Sequence, residues 1–211
     1  VTGTISLNPG GLHPIGVTVF DGYVWVANHD GNPTGSVAKI DPTTMQVVDL
    51  IPVGTESDSG PTTIVSAAGS LWVNVPNIGG VVRINPLTDT TIATIPIKGA
   101  CASIAANAHA VWVADLDDAG CPGGSPGISR IDTSPNTVTA TLNAAGTTGA
   151  VALDGETLWY GTTNSNSLGR IDTTTNTIAG QLKLPGPAFA TAAANGFVWI
   201  TDQDGLLFQV Q

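Results

Sequence analysis

Basic residues are scarce in this chain. Lysine and arginine together number six against sixteen aspartates and glutamates, giving a formal net charge of −10. Such a chain repels phosphate backbones and anionic lipid headgroups, which excludes nucleic acid and an anionic membrane as partners. Long apolar runs are also missing. The longest charge-free stretch, LPGPAFATAAANGFVWIT at 184–201, is interrupted by Pro185, Gly186, Pro187, Asn195 and Gly196, so the sequence predicts no membrane insertion. The two cysteines come without a CxxC or HxxxH spacing, which leaves no zinc signature. No glycine-rich phosphate loop and no Gly-x-Ser-x-Gly nucleophile motif occurs. An initiator methionine is absent too. Beginning at Val1, the chain reads as a processed or excised product that has lost any signal peptide. Its abundance of Gly, Thr, Ala and Asn suits a secreted or extracytoplasmic protein.

What is present is a repeat. Five tryptophans, at 25, 72, 112, 159 and 199, lie 47, 40, 47 and 40 residues apart in the contexts YVWVAN, LWVNV, VWVAD, LWYGT and VWITD. After each comes a second motif: VAKIDP, VVRINP, ISRIDT, LGRIDT and the fainter LFQVQ. A third follows a Thr/Asn/Pro turn: MQVVDLIPVG, TTIATIPIKG, NTVTATLNAAG and NTIAGQLKLPG. Short β-branched runs separated by turn residues, at about four strands per repeat, are the grammar of propeller blades. The opening VTGTISLNPG matches a fourth strand, whereas the last repeat stops after its third. The sequence therefore predicts an all-β fold: a five-bladed β-propeller of four-stranded blades over residues 1–211. The blades fall near 14–53, 61–98, 101–145, 147–185 and 187–211, and the N-terminal strand (residues 1–9) completes the last one in a one-plus-three closure. The rival reading is part of a six- to eight-bladed ring.

Subtracting the repeat isolates the candidate site. Lys39, Arg83, Arg130 and Arg170 share one slot in the third strand, which predicts a recurrent ion pair or hydrogen bond between strands. Asp41, Asn85, Asp132 and Asp172 open the next turn, where an Asx side chain can bond the backbone two residues on. Asp21, Asp154 and Asn195, each before Gly, mark the first hairpin. The tryptophans are expected to pack between blades. The unrepeated polar residues fall on fourth-to-first and second-to-third connections, which share one face of a propeller. Fourth-to-first connections supply His13, Glu56 and Asp58. Second-to-third connections supply His29, Asp30, Asp115, Asp117, Asp118, Asp202 and Asp204. These ten residues form the candidate ligand-binding face. Cys101 and Cys121 belong to that face of the third blade, which predicts a disulfide fastening the insert Asp115–Pro126. Such a bridge would contribute about 3 kcal/mol. Asp115, Asp117, Asp202 and Asp204 supply hard oxygen donors at alternate positions, suited to Ca²⁺ or Mg²⁺, without a full EF-hand pattern.

The string VWVAN…GSVAKIDPTTMQVVDLIPVG and its copies resemble the YVTN-type surface-layer repeat and the NHL-like propellers, and more distantly the streptogramin-lyase-like (virginiamycin B lyase-like) propellers. The resemblance implies a prokaryotic cell-surface or secreted propeller. The lyase-like branch implies elimination by histidines, a glutamate and Mg²⁺. Only His13, His29 and Glu56 could converge here, because His109 and Glu156 fall at first-to-second hairpins on the opposite face. The Phe-Thr-Gln-Gly-Leu segment of plant-type glutaminyl cyclases is absent. No carboxylate pair is identified for a glycosidase. Two readings stand. One is a non-catalytic, monomeric binding or scaffold module for a protein, peptide, glycan or small-molecule ligand. The other is a metal-assisted lyase or hydrolase using His13, His29 and Glu56.

Overall fold

The computed structural model describes residues 3–7, 13–29, 35–54, 60–115, 127–144, 148–162, 164–202 and 204–211. The chain divides into two compact units, Val1–Ile97 and Lys98–Gln211. The first unit holds two four-stranded sheets. Sheet one comprises β1 (Pro14–Phe20), β2 (Tyr23–Asn28), β3 (Ser36–Asp41) and β4 (Gln46–Pro52). Sheet two comprises β5 (Ile64–Ala67), β6 (Ser70–Val75), β7 (Gly80–Asn85) and β8 (Thr90–Pro96), with a 3₁₀ turn at Pro76–Ile78.

The second unit holds three sheets. Sheet three is β9 (Ala100–Ala106), β10 (Ala110–Asp115), β11 (Gly127–Asp132) and β12 (Thr137–Leu142). Sheet four is β13 (Thr148–Asp154), β14 (Thr157–Thr162), β15 (Ser167–Asp172) and β16 (Thr177–Lys183). Sheet five has three strands, β17 (Ala190–Ala194), β18 (Phe197–Thr201) and β19 (Leu207–Val210). Every sheet is an antiparallel meander in sequence order, the all-β blade that the repeat predicts. No helix among the described residues is long and apolar enough to cross a membrane.

The local chemistry explains the meanders. Asp21 and Gly22 take φ of 52° and 79°, and Asn195 and Gly196 take 56° and 77°. Consecutive left-handed residues make the tight hairpin whose twist matches the flanking strands. The turn from third to fourth strand closes on an Asx side chain: Thr43 N–H donates to Asp41 Oδ1 at 2.7 Å, Leu87 N–H to Asn85 Oδ1 at 2.9 Å, and Thr174 N–H to Asp172 Oδ1 at 2.8 Å. Those bonds favour the charged form, holding the Asp41 and Asp172 carboxyls below the ordinary value.

Packing between successive sheets makes the core. In the first unit Trp25, Ala27, Val37 and Ile51 of sheet one meet Ile64, Leu71, Val73 and Ile84 of sheet two. In the second, Trp112, Ala114 and Ile128 meet Val151, Leu158, Tyr160 and Ile171, and Trp159 and Leu168 meet Val198, Ile200, Phe208 and Val210. Four tryptophans thus pack as expected or lie buried, while Trp199 stays 43% exposed.

The N-terminal strand expected at residues 1–9 lies partly outside the described residues, and the described part, residues 3–7, is not assigned to a strand. Ile5 and Leu7 lie against Val24, Val26, Ala38, Ile40 and Val47 of sheet one.

Candidate functional site

The basic slot is built by a recurring irregularity. A register shift follows Lys39, Arg83, Arg130 and Arg170 in the pairing of each third strand with its fourth. Each of these positions also sits opposite the tryptophan of its own sheet. Such a shift bends a strand and re-aims its side chains. Three of the cations consequently lie over an indole, at 5.0 Å for Lys39 on Trp25, 4.9 Å for Arg83 on Trp72 and 5.7 Å for Arg130 on Trp112.

Two of them continue past their own sheet. Lys39 Nζ donates to Pro86 O at 3.1 Å and to both Asp89 oxygens at 2.9 Å. Arg130 Nη1 donates to Thr173 O at 3.1 Å and to Asn176 Oδ1 at 2.7 Å. Arg83 Nε donates to Ser70 Oγ of the neighbouring strand at 2.9 Å, the expected bond between strands, whereas Lys39 and Arg130 bond between sheets. These residues fasten blades. Arg170 in the same slot is exposed, and the described residues give it no such bond.

The upper end of each blade carries the candidate site. In the first unit His13 precedes β1 and His29 follows β2. His29 N–H donates to His13 O at 2.8 Å, so the ladder brings these two histidines together. His29 is wedged by Gly60: a Cβ at that position would collide with the His29 backbone and ring. Glu56, the third member of the proposed catalytic set, lies outside the described residues, as do Asp30, Asp58, Asp117, Asp118 and Cys121. Cys101 lies in β9, and no described cysteine is a free thiol.

One slot at this end, of which the sequence singled out Asp115 and Asp202, recurs in every blade. The residue three past each tryptophan, where the second strand gives out, is Asn28, Val75, Asp115, Thr162 or Asp202. All four polar members are buried. Asn28 Nδ2 donates to Ser36 Oγ at 3.4 Å, and Thr162 Oγ1 joins Ser165 Oγ at 2.6 Å and Ser167 Oγ at 2.9 Å. Asp115, 3% exposed, accepts from Ser129 Oγ at 2.7 Å through Oδ2, and its Oδ1 has no partner among the described residues. Burial pushes its carboxyl up to about 6, with the Ser129 bond opposing that rise.

Asp202 is 7% exposed and plays a different part. Its Oδ1 accepts from Asp204 N–H at 2.9 Å and Leu206 N–H at 2.7 Å, forming the turn into β19. Its Oδ2 is buried without a partner among the described residues, and a Cβ on Gly186 would stand 2.6 Å from it. Asp204 is exposed.

Glu56 of the catalytic set and Asp117 of the metal set lie outside the described residues; among the described residues no group of three His, Cys, Asp or Glu side chains could hold a metal ion. His109 and Glu156 lie at first hairpins, as expected, and are engaged there. His109 N–H donates to Asn107 Oδ1 at 2.9 Å, and Thr133 Oγ1 donates to His109 O at 3.1 Å. Thr173 Oγ1 donates to Glu156 Oε2 at 3.0 Å.

No protein-family model matches the chain, and no curated protein matches it in sequence. Among solved structures it is similar to BamB from Moraxella catarrhalis, with a TM-score of 0.72 and 13% identity over 92% of this chain and 56% of that one. It is also similar to apo AztD from Citrobacter koseri, with a TM-score of 0.57 and 10% identity over 85% of this chain and 49% of that one. The chain thus spans about half the length of these two proteins. At such identities the likeness shows the fold alone, a β-propeller fold.

Proposed function

We propose that this chain is a non-catalytic, extracytoplasmic binding module whose ligand docks on the ends carrying the fourth-to-first and second-to-third connections. The observation that carries this reading is Asp115: a buried carboxylate at the end of β10, with one oxygen held by Ser129 and the other unpartnered among the described residues. A buried oxygen without a donor is costly unless something supplies one. A ligand bearing an ammonium, amide or hydroxyl donor, such as a peptide, a glycan or a protein loop, supplies it. The Cys101–Cys121 bridge would hold the insert after Asp115 as a wall of this site.

Peptide and glycan arrays probed with the protein and with Asp115→Asn test the reading. Binding that weakens at least roughly tenfold in the variant supports it. Binding that is indifferent to Asp115 and lost on altering His109 or Glu156 overturns it.

The second reading, a metal-assisted lyase or hydrolase, rests on the juxtaposition of His13 and His29. Ring opening of a cyclic ester with Mg²⁺, abolished in His13→Ala, would establish that activity in place of the binding role.

A further inference from the structure

We propose that the cleft between sheets three and four holds a neutral sugar unit, bound by the side-chain amides of Asn143 and Gln181 and the phenol of Tyr160. Asp115 does not line this cleft, so the proposal stands apart from the upper-end ligand site. The cleft has a volume of about 360 Å³, within the range of small-molecule sites, and Ile178, Ala179 and Gly180 of β16 complete its lining.

Tyr160 makes the cleft peculiar to sheet four. The residue after the tryptophan is Val26, Val73, Val113 or Ile200 in the other sheets. Across the strands it pairs with Ala38, Val82, Ser129 or Phe208. In sheet four the pair is Tyr160 and Gly169. A Cβ on Gly169 would collide with the Tyr160 ring and hydroxyl, so the absent side chain is the room in which the ring lies. Gly169 in turn pairs with Gln181 of β16, and Gln181 Nε2 donates to Tyr160 Oη at 3.4 Å. Blade packing is met elsewhere by an aliphatic side chain; here the exchange carries a hydroxyl across the sheet to its outer strand.

The hydrogen-bonding capacity left over selects the ligand. Among the described residues no acceptor takes the Tyr160 proton, no donor reaches Gln181 Oε1, and the Asn143 side chain has no hydrogen bond. Burial raises the Tyr160 phenol above its ordinary value, with the Gln181 bond opposing, so it stays a neutral donor at physiological pH. Each amide offers a donor beside an acceptor, a pattern that two adjacent hydroxyls of a sugar complement. Ile178, 43% exposed, and Ala179 supply apolar contact for its C–H groups. No charged side chain lines the cleft among the described residues, so an ionic ligand would lose water without gaining a counter-charge.

Methyl glycosides of glucose, galactose, mannose and N-acetylglucosamine, titrated into the isotope-labelled protein and followed by NMR, test the assignment. Saturable shifts of the Asn143 and Gln181 side-chain amides are expected with at least one of them. Asn143→Ala and Gln181→Ala, both at exposed positions, should each weaken that binding about fivefold, the loss of one hydrogen bond. Tyr160→Phe, which keeps the ring over Gly169, should weaken it by about the same factor. No saturable shift with any of these glycosides, shifts confined to other residues, or unchanged affinity in either amide variant overturns the proposal. Tighter binding of methyl glucuronide than of methyl glucoside overturns it too, since the cleft would then favour a charge.

Discussion

Replacing Asp115 by asparagine should stabilise the protein at neutral pH and leave it unchanged in acid. In the folded chain the Asp115 carboxyl is raised from 3.8 to about 6 by burial, whereas in the unfolded chain it keeps the ordinary value. Between those values the folded state holds a proton that the unfolded state has released. Stability therefore falls as pH rises through this window and stays reduced above it. A shift of about two units corresponds to about 3 kcal/mol. Asparagine is neutral throughout and keeps an oxygen to accept from Ser129 Oγ. Urea unfolding of wild type and variant, followed by tryptophan fluorescence from about pH 4 to pH 8, reads the difference directly. Comparing the two proteins removes the repulsion among the other acidic residues, which is common to both. The variant should gain up to about 3 kcal/mol at the alkaline end and nothing at the acid end, the gain appearing as pH passes through about 5 to 6. A pH-independent difference, or a variant less stable than wild type at about pH 8, refutes the reasoning.

The blade-fastening cation gives a second expectation. Lys39→Met strands Asp89, which is 22% exposed, and should cost about 2 kcal/mol in chemical unfolding. Asp89→Asn should cost less than about 1 kcal/mol, because Asn176 serves Arg130 from the equivalent place; equal losses would contradict the bond geometry. For the bridge, non-reducing digestion should release a linked Cys101–Cys121 peptide, and reduction should lower stability by about 3 kcal/mol. Two titratable thiols in the unreduced protein would rule the bridge out.

The architecture was legible because each blade repeats its own packing. The tryptophan spacing located every second strand, and the Asx and Asx-Gly positions located the turns, since those side chains act within a few residues of themselves. What the repeat could not convey was direction across the sheets. Lys39 and Arg130 looked like cross-strand partners because a single repeat contains no neighbour. Only the bulge after each, together with the adjoining sheet, shows that they reach Asp89 and Asn176. The opening segment carried a strand's alternation, and its Ile5 and Leu7 pack against a face of sheet one.

The slot three past each tryptophan was visible in the sequence, which singled out only Asp115 and Asp202 because its members differ in chemistry. That difference is the informative part. Val75 shows that the slot is compatible with an apolar side chain, and Thr162 shows that a neutral polar group finds hydroxyl partners there, whereas Asn28 bonds Ser36 through Nδ2 and its buried Oδ1 has no partner among the described residues. A carboxylate is therefore not demanded by the blade. Asp202 has a local reason, since one oxygen ties the turn into β19 through two backbone N–H groups. Asp115 has a single hydroxyl donor and one oxygen with none among the described residues, and at neutral pH its charge opposes folding by about 3 kcal/mol. A buried charge that folding does not need, in a position where its own repeat offers three neutral alternatives, fits a residue kept for what it binds.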